Sequence, residues 1–170
     1  ANVAVGATAS QISTWQGGTA DRAVDGNTDG DFTNGSVTST LAGWQNYWTA
    51  DLGQNYPVQS VRIWPRTDSG NSSLDPFYVF VSADPIPDLA PDQMLATAGI
   101  RAIRHEGPMD EAWRMPANMV GQYIKVQLEA EGRLMMAEVE ALVCQKDRLD
   151  PVPGSPLWPG APAFTNGDHT

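Results

Sequence analysis

A short stretch near the N-terminus concentrates side-chain oxygens that could bind a cation. Residues 22–32 hold two glycines and four Asp or Asn side chains, which are Asp25, Asn27, Asp29 and Asp31. Carboxylates this close repel one another unless a cation or backbone N–H groups neutralise them. The glycines permit the positive φ values that let carbonyl oxygens converge on one point. Oxygen donors without His or Cys suit Ca²⁺ better than Zn²⁺, so the stretch predicts either a calcium loop or an Asp/Asn/Gly-rich surface loop.

The spacing within this stretch differs from that of an EF-hand. No Glu stands at the twelfth position, and no helical pattern flanks the acidic residues. A calcium loop of another kind would need a carboxylate from a distant part of the chain to complete it.

A second group of residues has the types that bind sugars. Sugar sites pair an aromatic face, for the C–H side of the ring, with Arg, Asp or Asn for its hydroxyls. The candidates in a polar, Gly/Asn/Ser-rich stretch are Arg66, Asp68 and Asn71, with Trp44 as the favoured aromatic. Two alternatives stay open, because Arg66 could form a salt bridge to Asp68, and Trp44 could pack at the edge of the core.

Signatures of catalysis are missing from the sequence. Neither His105 nor His169 has a convincing Ser or Cys partner nearby in the chain. No Gly-rich phosphate loop, Cys/His metal cluster or dinucleotide motif occurs. We therefore expect a protein that is not an enzyme.

Length and charge narrow the class of protein further. The 170 residues are enough for one domain with a sizeable core, and the single cysteine permits no intrachain disulfide. The formal net charge of −10 argues against nucleic acid or anionic lipid as the main partner. No run of 18 apolar residues occurs, so no membrane span is expected.

The elements that must position these residues are mostly short strands. Alternating or β-rich segments are separated by turns of Gly, Pro and Asn, and they cover residues 44–53, 58–64, 77–82, 123–128 and 134–143, with a further short strand in 1–14. Residues 93–103 fit either a short helix or a weak strand, and residues 107–116 are predicted to be a loop. The pattern predicts an all-β sandwich or barrel.

The last part of the chain differs in composition. From residue 145 the sequence is rich in proline and lacks periodicity, which predicts an extended tail over residues 145–170 after a folded domain over residues 1–144. Leu157, Trp158 and Phe164 could anchor this tail on a neighbouring surface, of the same chain or of another protein.

Seven short motifs occur in an order that resembles a known family. They are Asn2-Val-Ala, Ala23-Val-Asp-Gly-Asn, Tyr47-Trp-Thr-Ala-Asp-Leu-Gly, Val61-Arg-Ile-Trp-Pro-Arg, Phe77–Ser82, Val120-Gly-Gln-Tyr-Ile-Lys-Val and Ala137-Glu-Val-Glu. Residues 1–144 resemble the discoidin-like domain, also called the coagulation-factor type C domain, and within it the fucose-binding F-type lectins. The resemblance implies an eight-stranded, jelly-roll-like β-sandwich with binding loops at one end.

The resemblance also implies a structural Ca²⁺ and its ligands. Carboxylates would come from Asp25 and Glu138, the hydroxyl and carbonyl from Ser36, and backbone carbonyls from Arg22, Asn27 and Ala137. Glu138 would then be the distant carboxylate that the acidic stretch needs. Asp29 and Asp31 are expected to lie outside this set of ligands.

The sugar site departs from the family pattern. The family uses one His and two Arg for the hydroxyls and ring oxygen of fucose, with an adjacent Cys pair against its apolar edge. Arg66 matches the first Arg, whereas Ser73, Ser39, Ser69 and Gly70 stand near the positions of the second Arg, the His and the Cys pair. Only one of the three polar contacts is therefore retained.

Two functions follow as expectations. The first is a secreted or cell-surface, calcium-stabilised module that binds a glycan without catalysis; secretion fits a chain that begins at Ala1 without Met. The alternative is a structural or assembly protein of a cell surface, filament or particle, which keeps the fold and calcium and uses its C-terminal tail as a strap.

Overall fold

A computed structural model describes residues 1–69 and 74–144, so the predicted tail and its anchors Leu157, Trp158 and Phe164 lie outside the described residues. The described residues form eight strands, which are β1 (Thr8–Gln11), β2 (Gly43–Trp44), β3 (Tyr47–Pro65), β4 (Phe77–Ser82), β5 (Ile100–His105), β6 (Trp113–Leu128), β7 (Glu131–Gly132) and β8 (Met136–Val143). They also form one short helix, α1 (Pro91–Leu95), and two 3₁₀ turns, Ala20–Val24 and Phe32–Asn34.

The two long strands β3 and β6 connect both layers of the fold. They pair antiparallel along their lengths, with register shifts between Asp51 and Tyr56 and between Val58 and Ser60 on β3. The first part of β3 pairs with β1, and the second part pairs with β8. The second part of β6 pairs with β4, which also pairs with β5. Such irregularities bend strands, so one pair of strands contributes to both layers.

The core lies between these layers. Trp48 and Val126 from one layer and Val61 and Val139 from the other are fully buried in the same hydrophobic cluster. Alternate residues of each strand point to this core, as the pleat requires. The predicted all-β sandwich is therefore confirmed.

For three segments the structure differs in detail from the prediction or decides between its alternatives. Residues 44–53 and 58–64 were predicted as two strands, but Trp44 ends β2, and β3 runs unbroken through Gly53. Residues 93–103 contain the end of α1 and the start of β5, so both readings hold for part of the segment. The predicted loop at 107–116 ends early, because β6 begins at Trp113.

The acidic stretch lies across the end of β3. The backbone N–H of Thr67 donates to the carbonyl of Gly30 at 2.9 Å. A Cβ at Gly30 would overlap Oγ1 of Thr67 and lie 2.9 Å from the carbonyl oxygen of Pro65, so only glycine fits this approach. In the part of the chain that the structure describes, no helix is long and apolar enough to cross a membrane.

Candidate functional site

The acidic stretch forms a series of Asx turns, in which an Asp or Asn side chain bonds to the backbone two residues later. Each of four side chains accepts a hydrogen bond from the backbone N–H two residues later, at 2.8–3.0 Å, and these acceptors are Asp25, Asn27, Asp29 and Asp31. The N–H groups offset the negative charges that crowd this loop. The pKa of Asp29 lies below its ordinary value because its carboxylate accepts from the backbone of Asp31 and from the Asn34 amide.

Glu138 on β8 meets the beginning of this loop. Its side chain is fully buried, and its Oε1 accepts from the N–H of Gly26 at 3.1 Å. Its Oε2 has no hydrogen-bond partner among the described residues. Burial, together with the nearby charge of Asp25, raises the pKa of Glu138 to about 7, although the hydrogen bond from Gly26 acts to lower it. A buried carboxylate with an unpartnered oxygen is costly unless a cation or proton neutralises it.

The residues fit a Ca²⁺ ion, on the chemistry of their donor atoms. Glu138 and Asp25 offer hard carboxylate oxygens at one place, as the family resemblance implies. Ser36 is buried, and its hydroxyl donates to the carbonyls of Asp29 and Asp31, so it lies inside the loop. No group of three or more His, Cys, Asp or Glu side chains suited to a metal occurs in residues 1–69 and 74–144. The expected set has only two carboxylates, and the rest of it is a hydroxyl and backbone carbonyls.

The backbone donors come from the elements around the loop. Arg22 lies in the 3₁₀ turn Ala20–Val24, which ends just before Asp25. Its guanidinium donates to the carbonyl of Val37 at 3.1 Å. Ala137 precedes Glu138 on β8 and is fully buried. Asn27 is exposed within the loop. The ligand roles of their carbonyl groups stay predictions.

Arg66 directly follows β3 and is held by two neighbours. Its Nε and Nη2 donate to the two carboxylate oxygens of Asp68 at 2.7 and 2.9 Å. The guanidinium lies 4.8 Å from the centre of the Phe32 ring. Because the pair is charge-assisted, the pKa of Asp68 falls well below its usual range and that of Arg66 rises. The predicted alternative, a salt bridge to Asp68, is therefore present, and it fixes the orientation of the guanidinium.

The aromatic residues of this region were not found from the sequence. The ring of Phe32 lies 5.7 Å from that of Trp15, and the Arg133 guanidinium lies 4.2 Å from the Trp15 ring. These two half-buried rings come from separate loops, so no periodic pattern marks them. The only sequence signal is a large aromatic residue in a polar loop.

The other predicted sugar contacts are Trp44 and Asn71, and the structure describes only the first of them. Trp44 lies opposite Glu131 in the small β2–β7 sheet, and it is 67% exposed, so the alternative of core-edge packing was wrong. Phe32, rather than Trp44, is the ring that the structure places against Arg66. Asn71 lies outside the described residues. Ser39, near the family's His position, is fully buried.

Comparisons with known proteins identify the family of this chain. A family model described as "NedA-like, galactose-binding domain" matches residues 22–126. Fucolectin-6 of Anguilla japonica is 30% identical over 144 residues, which cover 82% of this chain and 74% of the relative.

Solved structures of fucose-binding proteins have the same fold. A fucose binding module of Streptococcus pneumoniae is 29% identical with a TM-score of 0.71, covering 84% of this chain and 94% of that chain. An f-lectin (fucolectin) from the serum of Morone saxatilis, striped bass, is 27% identical with a TM-score of 0.66, covering 82% of this chain and 47% of that chain.

Proposed function

Because the chain belongs to the NedA-like, galactose-binding domain family, we propose that it is a non-catalytic carbohydrate-binding module with its sugar site at Arg66. The observation that carries this proposal is the Arg66 guanidinium, oriented by Asp68 and stacked over Phe32. The names of the relatives point to fucose as the first sugar to test.

The chemistry of this site suits a monosaccharide with one apolar edge. Asp68 engages Nε and Nη2 of Arg66, and among the described residues the one hydrogen-bond acceptor of Nη1 is the sulfur of Met135 at 3.2 Å, a weak acceptor. The N–H groups of Nη1 are therefore well suited to donate to sugar hydroxyls. The rings of Phe32 and Trp15 offer an apolar face to the C–H side of the sugar, or to the methyl group of fucose.

We also propose that Ca²⁺ stabilises the module. It would be held by the carboxylates of Asp25 and Glu138, by Ser36, and by the backbone carbonyls of Arg22, Asn27 and Ala137. The unpartnered Oε2 of Glu138 supports this proposal. The bound ion would supply positive charge to the buried Glu138 and the exposed Asp25, and the residues themselves tie the acidic loop to β8.

An extracellular location is part of the proposal. The striped bass lectin comes from serum, where calcium is abundant enough for weak extracellular sites. We therefore propose that this protein is secreted or displayed at a cell surface.

A glycan array on the full chain in calcium tests the proposed function. We expect binding to fucosylated glycans that falls at least about tenfold in Arg66→Ala, because a charge-assisted donor to the sugar is lost. Arg101→Ala removes an equally charged, exposed side chain from β5 and is the matched control. No binding to any fucosylated glycan, or binding that survives Arg66→Ala, would contradict the proposal.

A second candidate function is assembly without sugar binding. It is favoured by the buried Ser39 near the family's His position and by the exposed apolar side chains of Trp44 and Leu41. In that case the full chain should self-associate or bind a partner through residues 145–170. Analytical ultracentrifugation of the full chain and of a chain ending at Cys144 tests this, and an unchanged monomer in both excludes self-assembly.

A further inference from the structure

A groove of about 570 Å³ adjoins the Arg66 site. Pro65 and Thr67, the two chain neighbours of Arg66, both line it, together with Gly30 of the acidic loop. Its volume lies within the range of sites that bind small molecules. Nothing in the proposed role of Arg66 or of the calcium loop uses this groove.

An arginine that lines the groove, Arg62, is held in the same way as Arg66. Arg62 forms an ion pair with Glu140 at 3.2 Å and lies 5.9 Å from the centre of the Trp64 ring. Arg66 in the same way pairs with Asp68 and lies over Phe32. In each case, a carboxylate holds an arginine beside an aromatic ring.

The two aromatic rings share one support. Phe32 and Trp64 both pack against a small buried cluster of Val37, Met135 and Ala137. The indole N–H of Trp64 also donates to Oε2 of Glu140 at 3.0 Å, which fixes the orientation of its ring. The Trp64 ring is therefore a rigid, half-buried surface at the groove.

The charges that line the groove are balanced. Arg62 and Arg114 contribute two positive charges, and Asp110 and Glu111 contribute two negative charges. Arg114 is steadied by its Nε, which donates to Oγ of Ser60 at 2.8 Å. A groove of both signs beside an indole suits a neutral, hydroxyl-rich ligand better than an anion, because hydroxyls can donate to carboxylates and accept from guanidiniums.

We propose that this groove is a second carbohydrate subsite, which takes a neutral hexose unit with its C–H face on Trp64 and its hydroxyls at Arg62 and Arg114. The inference rests on the proposed carbohydrate-binding function, although not on Arg66 itself. It assigns a role to side chains that neither the family's sugar contacts nor the calcium loop employs.

Nuclear magnetic resonance on the ¹⁵N-labelled full chain in calcium tests the second subsite. The probe is methyl β-D-galactoside, and the readout is the indole N–H signal of Trp64, identified by its absence in Trp64→Phe. We expect a saturable shift of this signal. Arg114→Ala and the groove-filling Ala112→Phe should weaken the apparent affinity at least about fivefold, whereas Arg101→Ala should leave it within about twofold.

The variants separate this inference from the proposed function. Galactoside binding at Trp64 should persist in Arg66→Ala, while fucoside binding is lost. If the Trp64 signal does not saturate with methyl β-D-galactoside, methyl α-D-glucoside or methyl α-D-mannoside, the second subsite is wrong. It is also wrong if folded Ala112→Phe binds as well as the parent chain, or if Arg66→Ala abolishes the Trp64 response, which would indicate a single site. A Trp64 response without any fucoside binding would overturn the role of Arg66 and leave the second subsite standing.

Discussion

At the scale of single residues, the proposed sugar contact depends on how the Arg66 side chain is held. A free arginine side chain loses rotamer entropy when it binds a ligand, and two hydrogen bonds to Asp68 remove much of that freedom beforehand. Asp68 also accepts from the N–H of Phe32 at 3.2 Å, so it ties the guanidinium to the ring beneath it. Asp68 is therefore a positioning residue for the proposed sugar contact.

Asp68→Asn should lower fucoside affinity less than Arg66→Ala does. The amide of the variant keeps an acceptor for one hydrogen bond but loses the charge, so we expect affinity to fall by about three- to tenfold. Stability should change by no more than about 1 kcal/mol, because the pair is partly solvent-exposed. Calorimetric titration and urea unfolding measure the two effects.

Glu106→Gln is the control for this substitution. It removes one of the two carboxylate partners of another arginine, Arg104 of β5, which keeps its ion pair with Glu129. It should leave fucoside affinity unchanged. Equal losses in Asp68→Asn and Glu106→Gln would show that general electrostatics, and not positioning, explains the effect.

A second prediction at this scale concerns His105. Its ring stacks on Phe77 at 5.1 Å and meets Trp113 at 4.8 Å, and burial lowers its pKa, opposed by Asp75. The unfolded chain therefore binds a proton at higher pH than the folded chain does. The contribution of His105 to stability should be complete above the ordinary His pKa of about 6.5 and should be lost as the pH drops below it. The free energy of unfolding between pH 8 and pH 5 should vary less in His105→Phe than in the parent chain, and equal slopes would contradict this assignment.

At the scale of elements, the acidic loop is fixed at two points along its length. Gly26 donates to Glu138 on β8, and the carbonyl of Gly30 accepts from Thr67 beyond β3. One wall of the proposed second subsite is formed by Thr28 and Gly30 of the same loop. Anchoring this loop should thus support both the metal site and the groove.

Gly30→Ala tests the contact between the loop and the end of β3. The added Cβ would clash with Thr67 and with the carbonyl oxygen of Pro65, so we expect a loss of about 1–3 kcal/mol in the free energy of unfolding. Thr28→Ala, at an exposed position of the same loop, should change it by less than about 0.5 kcal/mol. Denaturant unfolding of both variants provides the measurement, and similar stability for the two would contradict the close packing.

Calcium should stabilise the fold through Glu138. Binding to the folded state alone adds about 3 kcal/mol when calcium exceeds its dissociation constant about a hundredfold. In Glu138→Gln this gain should be lost, while stability in chelator should not fall, because the buried carboxylate lacks a partner for Oε2. Glu140→Gln, two residues along the same strand, should keep the calcium dependence. Thermal unfolding with calcium and with chelator distinguishes these outcomes, and a parent chain indifferent to calcium would exclude the site.

The sequence correctly predicted those elements that are marked by a pattern of neighbouring residues. The six β-forming residues of β4 were identified with their observed bounds, Phe77–Ser82. Gly53 and Pro57 suggested a turn inside β3, but Gly53 lies within the register shift between Asp51 and Tyr56, and Pro57 pairs with Val120, so the strand does not end at either residue. Pro116 suggested a loop, yet it pairs with Ser60 beside the second register shift, where a strand tolerates proline.

The candidate site was also predictable only in part, because most of its contacts join residues that are far apart in the sequence. The meeting of Glu138 with the acidic loop was implied by the family resemblance, and the Gly26 hydrogen bond confirms it. Phe32 and Trp15 come together through tertiary packing of separate loops, which no local spacing reveals. The groove at Trp64 depends likewise on side chains from three adjacent strands, with Arg62 opposite both Arg114 and Glu140.

At the scale of the whole molecule, the sandwich separates stability from recognition. The core that joins its two layers is apolar and continuous, whereas the polar and aromatic contacts of the proposed sites lie in loops and on the outer face of the sheet. Loops on such a rigid scaffold can change their ligands without loss of the fold. Under the proposed function, this division explains how Arg66 is retained while other positions of the family's sugar site differ.

A calorimetric titration of the full chain with methyl α-L-fucoside in calcium, repeated with Arg66→Ala, shows most directly whether Arg66 binds the sugar. We predict saturable binding, weakened at least about tenfold in the variant, which corresponds to about 1.4 kcal/mol. The variant must keep the parent's unfolding temperature for the comparison to hold. Absence of binding to the parent chain, or equal affinity in a folded Arg66→Ala variant, would contradict the assignment of Arg66 as the sugar-binding residue.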